Sequence, residues 1–376
     1  MPGRVSVSGA VRSGLRRFAS RIRETAAGLG VDRQPGHLLL VTGGGEWAVK
    51  EIAMGVRPFL APHFREISIL DQIDQRPYVS QANVHCLCRP AFFKGGGVPS
   101  LHASNRLVVS WLHGGKRSDN PEIVAACRQL ERHWRRVRRF VVPNSRTLQD
   151  VLECGVDERI ISVIPNGVNT SMFRPCSDAE CRTDVRRRLG IPVEAFVVGS
   201  FQRDEDDHGA PKLVKGPDVL VAALSKVRRD VPVHALLTGP SRRYVIDGLA
   251  RHGVPYTHVT QNALAEMTHM YHALDAYCVS SREEGGPAPL RESMASGVPV
   301  VSTRVGLAID LIEHGRNGFC VDVEDASGLA THLRAVAEDP ALGRRVVAAA
   351  LETIHGLDFA VIAERFRTEV YHEAFA

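Results

Sequence analysis

The chain has 376 residues, of which 44% are apolar and 24% are charged, the balance of an ordinary soluble globular protein. At about one domain per 150 residues, this length predicts two domains. Apolar runs stay shorter than about 18 residues, which excludes a membrane-spanning helix, and eight cysteines scattered through so long a chain exclude a disulfide scaffold. With no recognisable secretory signal, we expect reduced thiols in a cytosol.

Residues 1–35 carry the whole net charge of the protein. They hold seven arginines against one glutamate and one aspartate, a balance of +5, and the whole chain is also +5, so residues 36–376 sum to zero. A neutral body argues against a general nucleic-acid binder, whose basic face should lie on the folded domain.

The N-terminal extension has the pattern of a basic amphipathic helix. Its apolar residues recur every three or four positions: Val11, Leu15, Phe18, Ile22, Ala26 and Leu29. Such a helix can lie on an anionic membrane surface with its arginines at the headgroups. A helix packed on the body, a frayed tail and a transit peptide are the alternatives.

From Gly36 onward, short apolar runs alternate with helical patterns, which predicts parallel βαβ units. In the first series the runs are His37–Val41, Ile67–Leu70, Val84–Cys88, Leu107–Leu112 and Phe140–Pro143, with helices at Glu46–Leu60 and Pro121–Val137. After the turn-rich segment Ile164–Val168, the runs are Ala195–Gly199, Val233–Thr238, Ala276–Ser280, Val298–Ser302 and Gly318–Val321. Helical patterns there are Asp218–Arg229, Ala263–Leu274, Arg291–Ala295 and the final Phe359–Phe375. Two such series predict two doubly wound α/β domains.

The clearest motif is Glu284-Gly-Gly-Pro-Ala-Pro-Leu-Arg-Glu292, two carboxylates around a Gly/Pro turn. It follows a predicted strand, and ligands bind at the carboxyl ends of strands in open α/β sheets. A helix that opens at this turn offers N–H groups to a phosphate, and Glu292 can accept from ribose hydroxyls. The structural alternatives are a dipole-capping Glu284 and a surface Glu292. The strand–turn–helix context favours a functional site.

A basic segment follows the first strand of the second series. It contains Ser200-Phe-Gln-Arg203 and Lys212-Leu-Val-Lys215-Gly216. Arg203 and Lys215 can converge on a diphosphate, the first as a planar fork and the second as a point charge. A charged surface loop is an equally good interpretation of this segment alone.

Two more candidates follow strands of the first series. Gly43-Gly44-Gly45 would let the backbone approach a phosphate or a sugar closely, but it departs from Gly-x-Gly-x-x-Gly, so a dinucleotide site is weakly supported. His113 stands at the carboxyl end of Leu107–Leu112, near the expected cleft, with a structural histidine as the alternative.

No metal site is predicted from the spacing of ligand-type residues. His85-Cys86-x-Cys88 and Cys176-x4-Cys181 lack partners at zinc-site spacing. The acidic run from Asp204 to Asp207 could hold a hard cation, but its polar surroundings favour a solvated loop.

Taken in order, these features resemble a retaining glycosyltransferase of family 4, with the two-domain architecture called GT-B. The resemblance spans roughly residues 38–320 and leaves the N-terminal extension outside. The segments that carry it are Gly43–Gly45, His113-Gly114, Val163–Val168 with Phe173-x-Pro175, Arg203 and Lys215-Gly216, Glu284–Pro299, Val305-Gly306, Asp310–Ile312 and Asn317–Phe319. Each piece is weak alone, and the ordered set is specific.

The resemblance implies an α/β fold of two Rossmann-like domains that face each other across a cleft. With the sequence pattern it predicts four segments: an N-terminal extension (1–35), an acceptor-side domain (36–166), a nucleotide-sugar-binding domain (167–357) and a C-terminal helix (358–376) that crosses back to the first domain.

The resemblance also assigns roles to residues. Arg203 and Lys215 would neutralise the donor diphosphate, helped by the backbone around Gly44, Gly45, Gly285, Gly286, Ala288 and Leu290. Glu292 would bind the ribose hydroxyls of the donor. Glu284 and His113 would be the catalytic residues that contact the donor sugar, and Glu46 would contact the acceptor. Neither a metal nor a resident cofactor is expected, since cationic side chains stabilise the leaving diphosphate.

Two positions depart from the family pattern. Pro289 has no N–H to offer a phosphate. Arg291 stands where the family has an apolar residue, and it would change the packing or add a phosphate contact.

The expected function is transfer of a sugar, with retention, from a nucleotide-diphosphate sugar to a saccharide, lipid-linked or small-molecule hydroxyl acceptor, in cell-envelope polysaccharide or glycolipid synthesis. The alternatives are another GT-B enzyme, such as a sugar phosphorylase or a nucleotide-sugar epimerase, and a non-catalytic nucleotide-sugar-binding protein. The expected location is the cytoplasm, with peripheral attachment to the inner membrane face left open, and no nucleic-acid partner is expected.

Overall fold

The structure is a computed structural model that describes residues 36–43, 47–71, 81–87, 101–206, 209–260 and 264–376. The amphipathic helix predicted in residues 1–35 lies outside the described residues, and so do Gly44, Gly45 and Glu46. Within the described ranges, no helix combines the length and the apolar character needed to cross a membrane.

The described chain forms two compact units. The first comprises the described residues up to Val142, together with Thr147–Ile164 and Ala363–Ala376, and the second comprises Pro143–Arg146 and Pro165–Ile362. The predicted domain boundaries at residues 166 and 357 stay a prediction.

The first unit is built on a parallel sheet. Its elements are β1 (His37–Val41), α1 (Trp47–Leu60), β2 (Glu66–Leu70), β3 (Asn83–Cys86), β4 (Arg106–Ser110), α2 (Pro121–His133), β5 (Arg139–Val142), α3 (Ser145–Glu153, which starts in the second unit) and β6 (Ile161–Val163). The strand order is β2-β1-β3-β4-β5-β6. The chain therefore adds β2 on one side of β1 and then adds β3 and the later strands on the other side, so the topological switch point lies between β1 and β3.

The second unit contains the other parallel sheet of the described chain. Its elements are α4 (Ala179–Arg188), β7 (Phe196–Ser200), α5 (Pro217–Val227), β8 (Val233–Thr238), α6 (Arg243–Arg251), β9 (Tyr256–Val259), α7 (Leu264–His272), β10 (Ala276–Val279), α8 (Ala288–Ala295), β11 (Val300–Thr303), α9 (Ala308–Leu311), β12 (Phe319–Val321), α10 (Ala326–Glu338) and α11 (Pro340–His355). The order β12-β11-β10-β7-β8-β9 places the topological switch point between β7 and β10.

Both faces of the second sheet are covered, as a parallel sheet requires. Successive residues of β7 point to opposite faces. Val197 packs into one hydrophobic cluster with Tyr277 and Val300, while Val198 packs into another with Ala235. This two-sided burial explains why the central strands read as continuous apolar runs. The prediction of two doubly wound α/β units is confirmed.

The C-terminal segment is not one regular α-helix. It consists of α12 (Phe359–Arg365), a π-helical turn (Phe366–Tyr371) and α13 (His372–Ala374). Its beginning packs in the second unit, where the Phe359 N–H donates to the Val168 carbonyl at 3.2 Å. From Ala363 onward it belongs to the first unit.

The expectation that all cysteines are reduced thiols is wrong for one pair. Cys176 and Cys181 form a disulfide, with their Cα atoms 6.1 Å apart. Cys176 lies just before α4 and Cys181 in its first turn, so the helix start brings the two side chains together. A disulfide between residues only five positions apart links a local segment and does not hold the fold together. The free cysteines of the described residues are Cys86, Cys127, Cys154, Cys278 and Cys320, all buried.

Candidate active site

The centre of the candidate site is an ion pair between Lys215 and Glu284. Lys215 lies in the loop after β7, Glu284 in the loop after β10, and these neighbouring strands flank the switch point of the second sheet. The distance from Lys215 Nζ to Glu284 Oε1 is 2.6 Å, and the two side chains keep 23% and 12% of their surface exposed. The fold thus brings together two predicted site residues that are 69 positions apart.

Neutral polar groups hold this pair in place. The Ser281 hydroxyl lies 3.0 Å from Glu284 Oε1, to which it can donate. The Lys215 carbonyl accepts from the Gln202 amide and from the Ser280 hydroxyl, each at 3.2 Å. The two loops are therefore joined through their backbone as well as through the ion pair.

Gly216 makes the close approach of the two loops possible. Its φ of +60° lies in the left-handed region, and a Cβ atom built there would stand 1.8 Å from the Ser280 carbonyl oxygen. A glycine is required on both counts.

The glycine turn after Glu284 is fixed by contacts to its carbonyl groups. The Gly285 carbonyl accepts from the Asn144 side-chain amide and from the Leu307 N–H, the latter at 2.8 Å. The Gly286 carbonyl accepts from Arg291 Nη1 at 2.8 Å. With its carbonyls held in this way, the turn leads into α8, whose N-terminal end attracts anions.

The predicted donor-binding segment leads into the first turn of α8. The helix begins at Ala288, earlier than the predicted Arg291, with Pro289 in its first turn. The Leu290 N–H donates to the Pro287 carbonyl at 3.2 Å. The predicted contact of Leu290 with the donor diphosphate stays a prediction.

Arg291 is a buried side chain that contacts backbone carbonyls. It is 5% exposed, and Nε donates to the Gly167 carbonyl at 3.0 Å. Together with its bond to Gly286, this contact favours the packing alternative for Arg291. It also ties α8 to the turn-rich segment Ile164–Val168.

Glu292 lies on α8, 4% exposed, and accepts a hydrogen bond from the Tyr271 hydroxyl at Oε2. Tyr271 is fully buried on α7 and was missed by the sequence reasoning. Nothing in its local pattern distinguishes it from a core residue, since only the fold brings it to Glu292.

Arg203 is exposed on the loop after β7, and its neighbour Asp204 anchors that loop. Asp204 is 2% exposed, and its Oδ2 lies 3.2 Å from Arg242 Nε. Burial raises the pKa of Asp204, and the Arg242 charge opposes that shift. Asp204 is thus an interior structural carboxylate and not part of a solvated acidic run, while Asp207 lies outside the described residues.

In the first unit, His113 lies three positions beyond the end of β4 and is half-buried. The turn around it is closed by the Trp111 indole N–H, which donates to the Gly114 carbonyl at 2.8 Å. The predicted role of His113 toward the donor sugar stays a prediction, as do those of Gly44, Gly45 and Glu46.

Residues 209–339 match the family model of glycosyl transferases group 1. A D-inositol 3-phosphate glycosyltransferase of Xylanimonas cellulosilytica is 34% identical over 208 residues, which cover 52% of this chain and 47% of the relative. One of a Nocardioides strain is 26% identical over 277 residues, 68% of this chain and 58% of the relative. The chain thus spans less than two thirds of the length of these curated relatives.

Solved structures share the fold over most of the chain. The crystal structure of Anabaena Alr3699/HepE in complex with UDP-glucose aligns with a TM-score of 0.71 at 18% identity, covering 89% of this chain and 99% of that one. Sucrose-phosphate synthase from Thermosynechococcus elongatus aligns with a TM-score of 0.70 at 17% identity, covering 90% and 99%. The fold is GT-B. The predicted Rossmann-like, two-domain fold class is confirmed, and the second unit carries the match to the glycosyltransferase family model.

Proposed function

We propose that the protein is a retaining glycosyltransferase that moves a sugar from a nucleotide-diphosphate sugar to a hydroxyl acceptor. The observation that carries this proposal is the Lys215–Glu284 pair at the switch point of the second sheet, 2.6 Å apart and still reachable from solvent. Ligands of open α/β sheets bind at this position.

The ion pair explains how the site can exist without a donor and then accept one. Lys215 supplies a positive charge for the diphosphate, and Glu284 supplies oxygens for hydroxyls of the donor sugar. In the free protein the two groups satisfy each other. Donor binding exchanges this contact for a phosphate on one side and sugar hydroxyls on the other, so neither charge is left unpaired.

The proposed mechanism relies on position and charge. In same-face transfer with retention, the departing phosphate helps to remove the proton of the acceptor hydroxyl, so the protein need not provide a nucleophile. Lys215 and Arg203 stabilise the charge that develops on the departing diphosphate, and the anion-attracting start of α8 adds to this. On this proposal the reaction proceeds without a divalent metal.

The proposed acceptor class is a hydroxyl of a saccharide, a lipid-linked sugar or a small polyol, in the synthesis of envelope polysaccharide or glycolipid. The relatives from Xylanimonas and Nocardioides are named for D-inositol 3-phosphate, so a phosphorylated cyclitol is the first acceptor to test. The proposed location is the cytoplasm, at or near the inner membrane face.

The first experiment is a thermal-shift panel of UDP, GDP, ADP and dTDP, with and without magnesium. A ligand that binds only the folded protein raises the unfolding midpoint by mass action. UDP is tested first because the Anabaena structures contain UDP or UDP-glucose. We expect one strong, magnesium-independent shift. A shift that requires magnesium would contradict the metal-independent mechanism.

Paired variants then test the site itself. Lys215→Ala should weaken nucleoside-diphosphate binding by about 1.5–3 kcal/mol, the scale of a hydrogen bond to a charged group. Glu284→Gln should nearly abolish transfer while the protein stays folded. Lys212→Ala and Glu283→Gln remove the same charges at positions three and one residues away, and serve as controls. If the control variants lost as much nucleotide binding and transfer activity as the site variants, the Lys215–Glu284 pair would have no specific role in the mechanism.

A non-catalytic nucleotide-sugar-binding protein is the second candidate. Pro289 favours it, because a proline in the first turn of α8 removes one N–H from the anion-attracting end of the helix. Saturable binding of the nucleotide without transfer to any acceptor, including water, would support this alternative.

A further inference from the structure

A second cluster of reactive side chains lies in the second unit, where the start of α4 meets the end of α7. Cys176 precedes α4, Cys181 lies in its first turn, and His272 is the last residue of α7. One ligand-type atom from each of the three lies within 4.8 Å of the others, and all three side chains are half-buried. Two sulfurs and an imidazole are the donor set that zinc prefers.

The orientation of His272 suits a metal ligand. Its Nε2 lies 2.9 Å from the Arg174 carbonyl oxygen, which can only accept, so Nε2 carries the proton. Nδ1 then presents its lone pair, and it lies 3.8 Å from Cys181 Sγ. Metal-ligating histidines commonly donate their other N–H to a carbonyl in this way, which fixes the tautomer and the ring.

The cluster is held by contacts that do not involve sulfur. Arg182 and Arg186 on α4 both bind Asp275, just beyond α7, at 2.9 and 2.6 Å. The Asp178 carboxylate accepts from the Cys181 N–H at 2.9 Å and so caps α4. These bonds would keep Cys181 beside His272 after the disulfide is opened. The bond from His272 Nε2 to the Arg174 carbonyl would hold the segment that leads into Cys176.

We propose that, with the Cys176–Cys181 bond reduced, the two cysteines and His272 bind a thiophilic divalent metal such as Zn²⁺, with solvent as the fourth ligand. Opening the bond takes two electrons from an external phosphine, which becomes a phosphine oxide by taking up the oxygen of a water molecule, and the two protons of that water complete the two thiols. Metal binding then releases their two protons. The sequence offers no partner for Cys176-x4-Cys181 at zinc-site spacing, but the fold supplies one 91 positions away from Cys181.

The test adds Co²⁺ to the full chain after reduction by a phosphine. We expect about one equivalent to bind, with a sulfur-to-cobalt charge-transfer band and the strong visible bands of a tetrahedral site, and Zn²⁺ should displace it. Cys181→Ser and His272→Ala should each lose the charge-transfer band or weaken binding at least tenfold. His252→Ala, an exposed histidine after α6, is the matched control and should bind as the parent does.

A measurement on the unaltered protein covers the case in which a variant fails to fold. Zn²⁺ should slow alkylation of Cys176 and Cys181, mapped by mass spectrometry, at least tenfold in the reduced chain. Three results would overturn the proposal: reduced cysteines that alkylate equally fast with and without Zn²⁺, a disulfide that resists reduction in the native protein, or full Co²⁺ binding by His272→Ala.

Discussion

At the residue scale, the geometry of the proposed donor site depends on one position without a side chain. Gly216 ends the turn that carries Lys215 and immediately precedes α5, with φ at +60°. Its Cα faces the Ser280 carbonyl so closely that a Cβ atom would stand 1.8 Å away. The loops after β7 and β10 can therefore meet only if this residue is glycine.

We predict that Gly216→Ala separates the two loops and breaks the contact between Lys215 and Glu284. UDP affinity should fall at least tenfold, and the unfolding midpoint should drop, because the clash is with backbone and cannot be relieved by a rotamer change. Calorimetric titration and thermal unfolding measure the two effects.

The matched control is Gly253→Ala, at φ +65° with nothing within 4 Å of the added Cβ. This variant carries the left-handed strain, about 1–2 kcal/mol, without a clash. If both variants lose equal stability and keep equal affinity for UDP, the close approach at Ser280 has no functional role.

At the scale of elements, the loop after β11 supports the turn that carries Glu284. Gly306 has φ at +47°, and a Cβ atom there would lie 2.4 Å from the carbonyl oxygens of both Glu284 and Gly285. The next residue, Leu307, donates its N–H to Gly285 at 2.8 Å. The loop before α9 thus fixes the position of the Glu284–Gly285 backbone through the close contact at Gly306 and the hydrogen bond from Leu307.

We predict that Gly306→Ala lowers kcat of the proposed transfer at least tenfold, because it pushes the backbone of Glu284 away from its working position. Gly315→Ala, at φ +80° in open space, is the control and should keep the parent rate. Steady-state kinetics decide between them. An unchanged rate in Gly306→Ala would show that the turn adapts without cost.

The central strands were all predicted from the sequence, and so were the edge strands β2 and β12. The other two edge strands were missed for a physical reason. β8, predicted at Val233–Thr238, occupies those residues because both of its faces are buried. β6 (Ile161–Val163) and β9 (Tyr256–Val259) went unpredicted, since each lies at a sheet edge and is partly exposed, with Tyr256 at 38%. An edge strand needs no continuous apolar run.

The site shows the same division between local and long-range information. The sequence indicated Lys215 and Glu284 because each follows a predicted strand beside glycines. It could not indicate Tyr271 or the contacts of Arg291, since these depend on which helices become neighbours. A prediction from strand ends therefore found the central pair of the candidate site and missed the residues that hold it.

At the scale of the molecule, the C-terminal segment is fastened to the first unit by a buried histidine. His85 on β3 is fully buried, with Nδ1 2.6 Å from the Tyr371 hydroxyl and Nε2 2.8 Å from the Ser110 hydroxyl. Burial lowers the pKa of His85 to about 3 and raises that of Tyr371. The folded unit thus keeps a neutral histidine well below the usual pKa of about 6.5.

This histidine should make the first unit sensitive to mild acid. Below pH 6.5 the His85 side chain of the unfolded protein becomes protonated, whereas in the folded protein it stays neutral down to about pH 3. The free energy of unfolding should therefore fall by about 1.4 kcal/mol for each pH unit lost in that range. All three tryptophans (47, 111 and 134) belong to the first unit, so their fluorescence in urea reports its unfolding.

His85→Gln should remove this contribution to the slope between pH 6.5 and 5, where most carboxylates stay ionised. His252→Gln changes an exposed histidine and should leave the slope as it is in the parent. A parent-like slope in His85→Gln would mean that His85 is protonated in the folded protein.

The distribution of charge over the whole chain supports a last prediction. Deleting residues 1–30 removes six arginines and one glutamate, the entire net charge of +5, and leaves a neutral protein. Each basic residue near an anionic surface contributes about 1 kcal/mol, so the deletion should weaken binding to phosphatidylserine vesicles at least tenfold. Hydrolysis of the soluble donor should persist, because Lys215 and Glu284 remain.

Neutral vesicles and high salt provide the controls, since both should abolish the difference between the two chains if it arises from charge. Equal binding of both chains to anionic vesicles would place any membrane-binding surface on the body of the protein.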